Sequence, residues 1–185
     1  MRVVRLGWAL WAALMCSSVL AQTPDFPARK PGLWEARIEN AQIPGGGMTS
    51  QECIDEKTDA QMQKRAFMGE GQKNNNCKLI SSKKTSKGWE IDSSCKNPQL
   101  TVNAHTVVSG DMQSAYTVDS LARFDPPMMG QKEMRTQMKF RHVGACKPGM
   151  KPGDVSINGA KLSLNSGKAP SEAEIKKMIE AMKQQ

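Results

Sequence analysis

Between Met134 and Val143 every second residue changes character. Met134, Thr136, Met138 and Phe140 fall on one side, and Arg135, Gln137, Lys139 and Arg141 on the other. A period of two with one charged side is the pattern of a half-buried β-strand. A slip of one residue would bury two arginines and a lysine, so its register is tightly specified. The same period recurs through much of the chain. Trp34, Ala36 and Ile38 oppose Glu35, Arg37 and Glu39, and Trp89, Ile91, Ser93 and Cys95 share one side. Leu100, Val102, Ala104, Thr106 and Val108 form another such set, and Tyr116, Val118 and Ser120 another.

Turn signals separate these runs: Pro44-Gly45-Gly46-Gly47, Ser86-Lys87-Gly88, Ser109-Gly110-Asp111 and Asp125-Pro126-Pro127. Short strands joined by such turns predict a mainly β protein of about six strands, an antiparallel meander forming a curled sheet or incomplete barrel. A short helix follows the first strand, with Thr58 as cap, Gln61 as its capping-box partner, and Ala60, Met62, Ala66 and Phe67 as a loose apolar side. After Cys146 come a Pro/Gly linker and a minor hairpin around Asn158-Gly159. Ser171 and Glu174 then cap a C-terminal amphipathic helix with Ile175, Met178, Ile179 and Met182 as its stripe.

The amino terminus sets the compartment. Arg2 and Arg5 precede an apolar run from Leu6 to Met15, and Val19-Leu20-Ala21 supplies small residues for cleavage. That is the layout of a secretory signal peptide over 1–21. The run is too short to span a bilayer, and no later segment is long and apolar enough to do so. The expected destination is the periplasm or the outside of the cell. A lipoprotein anchored at Cys16 is the minor alternative, disfavoured by the bulky Met15 before it. The predicted organisation is a leader over 1–21, a stapled β domain over 22–146, and an appended tail over 147–185.

Four cysteines remain after cleavage: Cys53, Cys77, Cys95 and Cys146. An even count in an exported chain reads as two disulfides. The pairing favoured first is Cys53–Cys77 with Cys95–Cys146, while the parity of Cys77 and Cys95 keeps Cys77–Cys95 with Cys53–Cys146 open, and either set closes long loops. No pair has Cys-x-x-Cys spacing, so zinc and thioredoxin-type readings lack support.

Chemistry is sparse. Each of the two histidines, His105 and His142, sits in a strand, and no Gly-x-Ser-x-Gly elbow or phosphate loop is present. No catalytic residues, cofactor or metal site are assigned. Met128, Met129, Met134 and Met138 raise Cu(I), yet methionine on a strand's apolar side is ordinary core. With 26 Lys and Arg against 18 Asp and Glu the chain is basic. It has one tyrosine and no reader motif, which argues against nucleic acid. Arg135, Lys139 and Arg141 would suit contact with anionic envelope components. Trp34, Trp89, Met134, Met138 and Phe140 would line a site for an apolar small molecule. Three functions follow in order: a non-enzymatic envelope binding or interaction module, a carrier of an apolar ligand, and an enzyme of unknown type.

The order of anchor motifs carries one resemblance. Lys30-Pro31-Gly32-Leu33-Trp34-Glu35 opens the domain, Cys53-Ile54-Asp55-Glu56 follows the Gly-rich break, Cys77-Lys78 leads into a hairpin, and Gly144-Ala145-Cys146 ends the last strand. Over Lys30 to Cys146 this resembles the Domain of Unknown Function 3617 family of exported bacterial proteins. The resemblance implies a small periplasmic or secreted domain with paired cysteines, and no activity.

Overall fold

The computed structural model of the protein describes residues 27–39, 47–68, 76–157 and 160–163. The expected leader and C-terminal helix lie outside the described residues. The strands are β1 (Gly32–Glu39), β2 (Gly47–Ile54), β3 (Asn76–Thr85), β4 (Gly88–Lys96), β5 (Thr101–Asp111), β6 (Ala115–Met128), β7 (Gln131–Gly144), β8 (Asp154–Ile157) and β9 (Ala160–Ser163). One helix, α1 (Glu56–Met68), follows β2. The strands form a single antiparallel sheet in the order β3-β4-β5-β6-β7-β1-β2-β8-β9. The fold is mainly β as the alternation predicts. The sheet stays open, with β3 and β9 at its two edges, rather than closing into a barrel.

The meander runs from β3 to β7, each strand beside the next. The β1–β2 hairpin is then added at the far side, with Trp34 opposite His142 and Ala36 opposite Phe140 on β7. Gly32 of the Pro-Gly-Leu-Trp opening permits this pairing. Its φ is +129°, and a Cβ there would run into the carbonyl oxygen of Gly144. Only glycine takes that conformation without strain.

One face of the sheet carries the core. Trp34, Ile54, Ile91, Val108, Met112, Tyr116 and Val118 are buried together, with Met62, Leu79, Trp89, Met138 and Phe140 packed against them. Trp34, Trp89, Ile91, Val108, Tyr116, Val118, Met138 and Phe140 among them are apolar members of the alternating runs, and each large side chain so buried contributes about 1.5–3 kcal/mol. The opposite face is charged, except where Leu33 and Cys53, partners in register, are buried. There Gly153 N–H donates to the Cys53 carbonyl at 2.8 Å.

Several expectations are corrected. The disulfides are Cys53–Cys146 and Cys77–Cys95, the parity pairing rather than the pairing favoured first. Cys77 and Cys95 face each other in the β3–β4 register, which leaves Cys53 to Cys146. Asp125-Pro126-Pro127 does not break the chain. β6 runs through it, and its pairing with β7 lapses between Arg123 and Met128, where a proline without an N–H forfeits no ladder bond. β2 is a strand that the sequence pattern did not announce. The tail hairpin exists and joins the sheet, since β8 pairs with β2 and β9 with β8.

The helix cap also moves. Asp55 Oδ1 accepts the Thr58 N–H at 2.8 Å, and Thr58 Oγ1 accepts the Asp55 N–H at 2.9 Å. This reciprocal capping box starts α1 three residues earlier than expected. The residues turned to the sheet are then Asp59, Met62, Gln63 and Ala66, one face of a helix. Ala60 is exposed, and the side chain of Phe67 lies outside the described residues.

Candidate functional site: a cavity between the helix and the sheet

Arg29 is the side chain around which this region is arranged. It comes from the Pro-rich lead-in before β1, yet only 5% of it is exposed. Its Nε donates to Asp59 Oδ1 at 2.6 Å and its main-chain N–H to Asp59 Oδ2 at 2.7 Å. Nη1 donates to Glu52 Oε2 at 3.0 Å and to the Tyr116 hydroxyl at 3.2 Å. The guanidinium also lies 5.8 Å from the centroid of the Trp34 ring, a cation–π distance. Burial alone would lower the Arg29 pKa. Electrostatic interactions with Tyr116, Glu52 and Asp59, together with the Asp59 hydrogen bond, outweigh it and raise the pKa.

Three elements meet here for local reasons. The Asp55 cap starts α1 so that Asp59 falls one turn later, facing the sheet, and Gln63 a turn beyond it donates to Asp59 Oδ2 at 2.8 Å. Glu52 projects from the inner face of β2, on the parity of Ile54. Tyr116 sits at the start of β6, stacked on Phe140 with centroids 4.4 Å apart and planes 3° from parallel. Burial pushes the Tyr116 phenol well above its ordinary value, although Arg29 pulls the other way.

Beside this cluster a cavity of about 280 Å³ opens between α1 and the sheet. Val118, Met138 and Phe140 make its apolar floor, and Met62 and Ala66 its helical side. Arg29, Glu52 and Tyr116 stand at one end. Thr106 and Ser120, whose hydroxyls lie 3.1 Å apart, also line it. An apolar chamber with a few placed polar groups is the usual make-up of a small-molecule site.

Of the residues expected to line an apolar site, Met138 and Phe140 do so. Trp34 is wholly buried under Arg29, its Nε1–H donated to the Lys30 carbonyl at 2.8 Å. Trp89 packs against the same core, with Lys84 Nζ 5.7 Å from its ring. Met134 lies on the inner face opposite Ala122, outside the cavity lining. Arg29, Glu52, Met62, Gln63 and Tyr116 were missed. A single basic residue in a Pro-rich lead-in gives no local sign of burial, and α1 lacks a clean apolar stripe.

Arg135, Lys139 and Arg141 project from the opposite face. Lys139 Nζ is 3.1 Å from Glu39 Oε1, and Arg141 Nη2 is 2.8 Å from Glu35 Oε1. Register places both acids on β1 beside these cations. The bonds from Arg141 and then Gln51 hold the Glu35 carboxyl below its usual range. Arg135 is exposed opposite Leu121.

The histidines are both engaged. His142 packs edge-on against Trp34 at 5.5 Å and donates through Nε2 to the Pro31 carbonyl at 3.1 Å. On the charged face, His105 Nδ1 meets Asp92 Oδ1 at 2.8 Å, and Ser81 Oγ meets Asp92 Oδ2 at 2.7 Å. The bonds from Ser81 and then His105 lower the Asp92 pKa. Serine, aspartate and histidine are thus adjacent, but the aspartate stands between the other two. In a nucleophilic triad the histidine must contact the serine. Met129 is 94% exposed at the β6–β7 turn. Among the described residues, no three His, Cys, Asp or Glu converge as metal ligands, and no helix is long and apolar enough to cross a membrane.

No curated protein and no solved structure matches the chain. One family model does, that described as Protein of unknown function (DUF3617), over residues 29–146. The match opens at buried Arg29, closes on Cys146 of the longer disulfide, and takes in β1 to β7 with α1, well over half of the chain. The chain belongs to the DUF3617 family.

Proposed function

We propose that the protein is a non-enzymatic binding module of the bacterial envelope that carries a small, largely apolar molecule between α1 and the sheet. The observation that carries this reading is the cavity of about 280 Å³ over Val118, Met138 and Phe140. Its size lies near the lower end of the roughly 300–1,000 Å³ usual for ligand sites. A ligand of modest size would replace water against the floor and gain about 25 cal/mol for each Å² of apolar surface buried.

Two disulfides fit an oxidising, extracytoplasmic compartment. The basic-then-apolar pattern of residues 1–21 supports export to the periplasm with cleavage after Ala21. The order of Ser81, Asp92 and His105, with the aspartate between the other two, does not suit a nucleophilic triad. Binding to anionic envelope surfaces through Arg135, Lys139 and Arg141 ranks second, because two of these cations are already paired with Glu39 and Glu35.

Native mass spectrometry of protein purified from the periplasm, against the same sample denatured, tests the reading. Extra mass in the native spectrum alone is the expected result. A bare native mass would overturn the carrier reading and return attention to the charged face. The denatured mass reports cleavage at Ala21 and the two disulfides.

A further inference from the structure

The cavity is not electrically neutral at its polar end. Arg29 carries one positive charge, and it is held by two carboxylates, Asp59 at 2.6 Å and Glu52 at 3.0 Å. The charges that act on the Tyr116 phenol are those of Arg29, Glu52 and Asp59. One guanidinium between two carboxylates leaves the group one negative charge in excess.

The two carboxylates are not equivalent. Asp59 is 1% exposed, and its two oxygens are taken by the Nε, the main-chain N–H and Gln63. Glu52 lines the cavity, and its side chain retains 15% exposure. Among the described residues it accepts one side-chain hydrogen bond, from Arg29 to Oε2. A carboxylate has about four acceptor sites, so Glu52 retains capacity for a donor arriving through the cavity. Arg29 has the reverse standing, with its charge already met on both sides. A carboxylate ligand would have to approach Arg29 against Glu52 and Asp59.

Resting on the reading of the cavity as a carrier site, we infer that its ligand is an amphiphilic amine. The ammonium group sits at Glu52 and donates to its free acceptor positions. The hydrocarbon body lies over Phe140, Val118 and Met138. The excess charge is satisfied only when the ligand is bound, and ligands of the opposite sign are rejected. In a partly desolvated site, attraction between unit charges is several times its value in bulk water.

Isothermal titration calorimetry of the oxidised protein with octylamine, octanol and octanoate is the test. The three probes share a hydrocarbon body and differ in head-group charge. Octylamine is expected to bind about tenfold or more tightly than octanol, a difference of about 1.4 kcal/mol, and octanoate more weakly than either. Glu52→Gln should abolish the preference for the amine, since the amide keeps an acceptor for Arg29 but loses the charge. Retained octanol binding by that variant shows that its cavity is still formed. Equal binding of amine and carboxylate, or tighter binding of octanoate, would overturn the charge inference and leave the carrier reading in place. Failure of all three probes to bind would overturn both. Should Glu52→Gln not bind octanol, the competition of amine with octanol at rising salt replaces it. A preference that shrinks as salt rises supports the charge assignment, and one unmoved by salt overturns it.

Discussion

Asp59 holds Arg29 at two points, taking its main-chain N–H on one carboxylate oxygen and its Nε on the other, across thirty residues of sequence. This contact joins the lead-in before β1 to the first turn of α1, and both are nearly free of solvent. Asp59→Ala would leave the guanidinium buried with half of its compensation gone. The expected cost is about 3–5 kcal/mol, the usual result of breaking a buried pair from one side. Urea unfolding measures it, and a loss under about 1 kcal/mol would show that Arg29 escapes to solvent without penalty.

Tyr116 is the only tyrosine in the chain, so phenolate absorbance reports this one site. Burial raises its pKa in the folded state above the ordinary value of 10.0. A raised acid pKa means that the folded state holds the proton more tightly. The stability this supplies is present below pH about 10 and declines as the pH rises above it. Phenolate should therefore be absent at pH about 10 and appear together with loss of the folded state. A smooth titration near 10 in folded protein would contradict the buried hydroxyl.

The two disulfides should not be equal. Cys53–Cys146 spans 93 residues and Cys77–Cys95 spans 18. Constraint of the unfolded chain grows with loop length, giving about 4–5 kcal/mol for the first and about 3 kcal/mol for the second. Replacing each pair by alanine and comparing urea midpoints checks the order. The first variant should be the weaker protein by about 1–2 kcal/mol.

Glu35 lies on the charged face with its pKa held down by Arg141 and then Gln51. A lowered carboxyl pKa supplies stability above the ordinary value of 4.5, and that stability is lost as the pH falls through the folded value. Glu35→Gln should thus lower the melting temperature slightly at pH 7 and make no difference near pH 2. An effect of equal size at both pH values would assign the loss to packing rather than charge.

Where a strand is covered on one face and wet on the other, its residues state its existence and orientation. Met134–Phe140 and Trp34–Ile38 are such cases, and both occur as read. β2 was illegible because Met48-Thr-Ser-Gln-Glu-Cys-Ile carries polar residues on its inner parity, the buried Ser50 and the half-buried Glu52, whose β8 partners Ile157 and Val155 lie far along the chain. Pro126 and Pro127 look like a break, yet β6 continues through them because they fall beyond its last pair with β5 at Asp125 and inside the lapse in its pairing with β7, so no ladder bond is asked of them, and no local pattern reveals that. The cavity was legible by half. Its floor belongs to alternating strands and supplied Met138 and Phe140. Its polar end depends on Arg29, Glu52 and Asp59, three charges that read singly as solvated surface and acquire their role only by meeting.

The place of β1 between β2 and β7 sets a condition on how the chain can be made. Its first neighbour is complete by Ile54, but its second is not complete until Gly144. A chain that emerges amino end first must therefore hold one edge of β1 unpaired while some ninety residues follow it. An unpaired strand edge is the surface on which other chains dock. Its alternating charges, Glu35, Arg37 and Glu39, line the strand during the wait and discourage the wrong neighbour, until Glu35 and Glu39 take Arg141 and Lys139 of the right one.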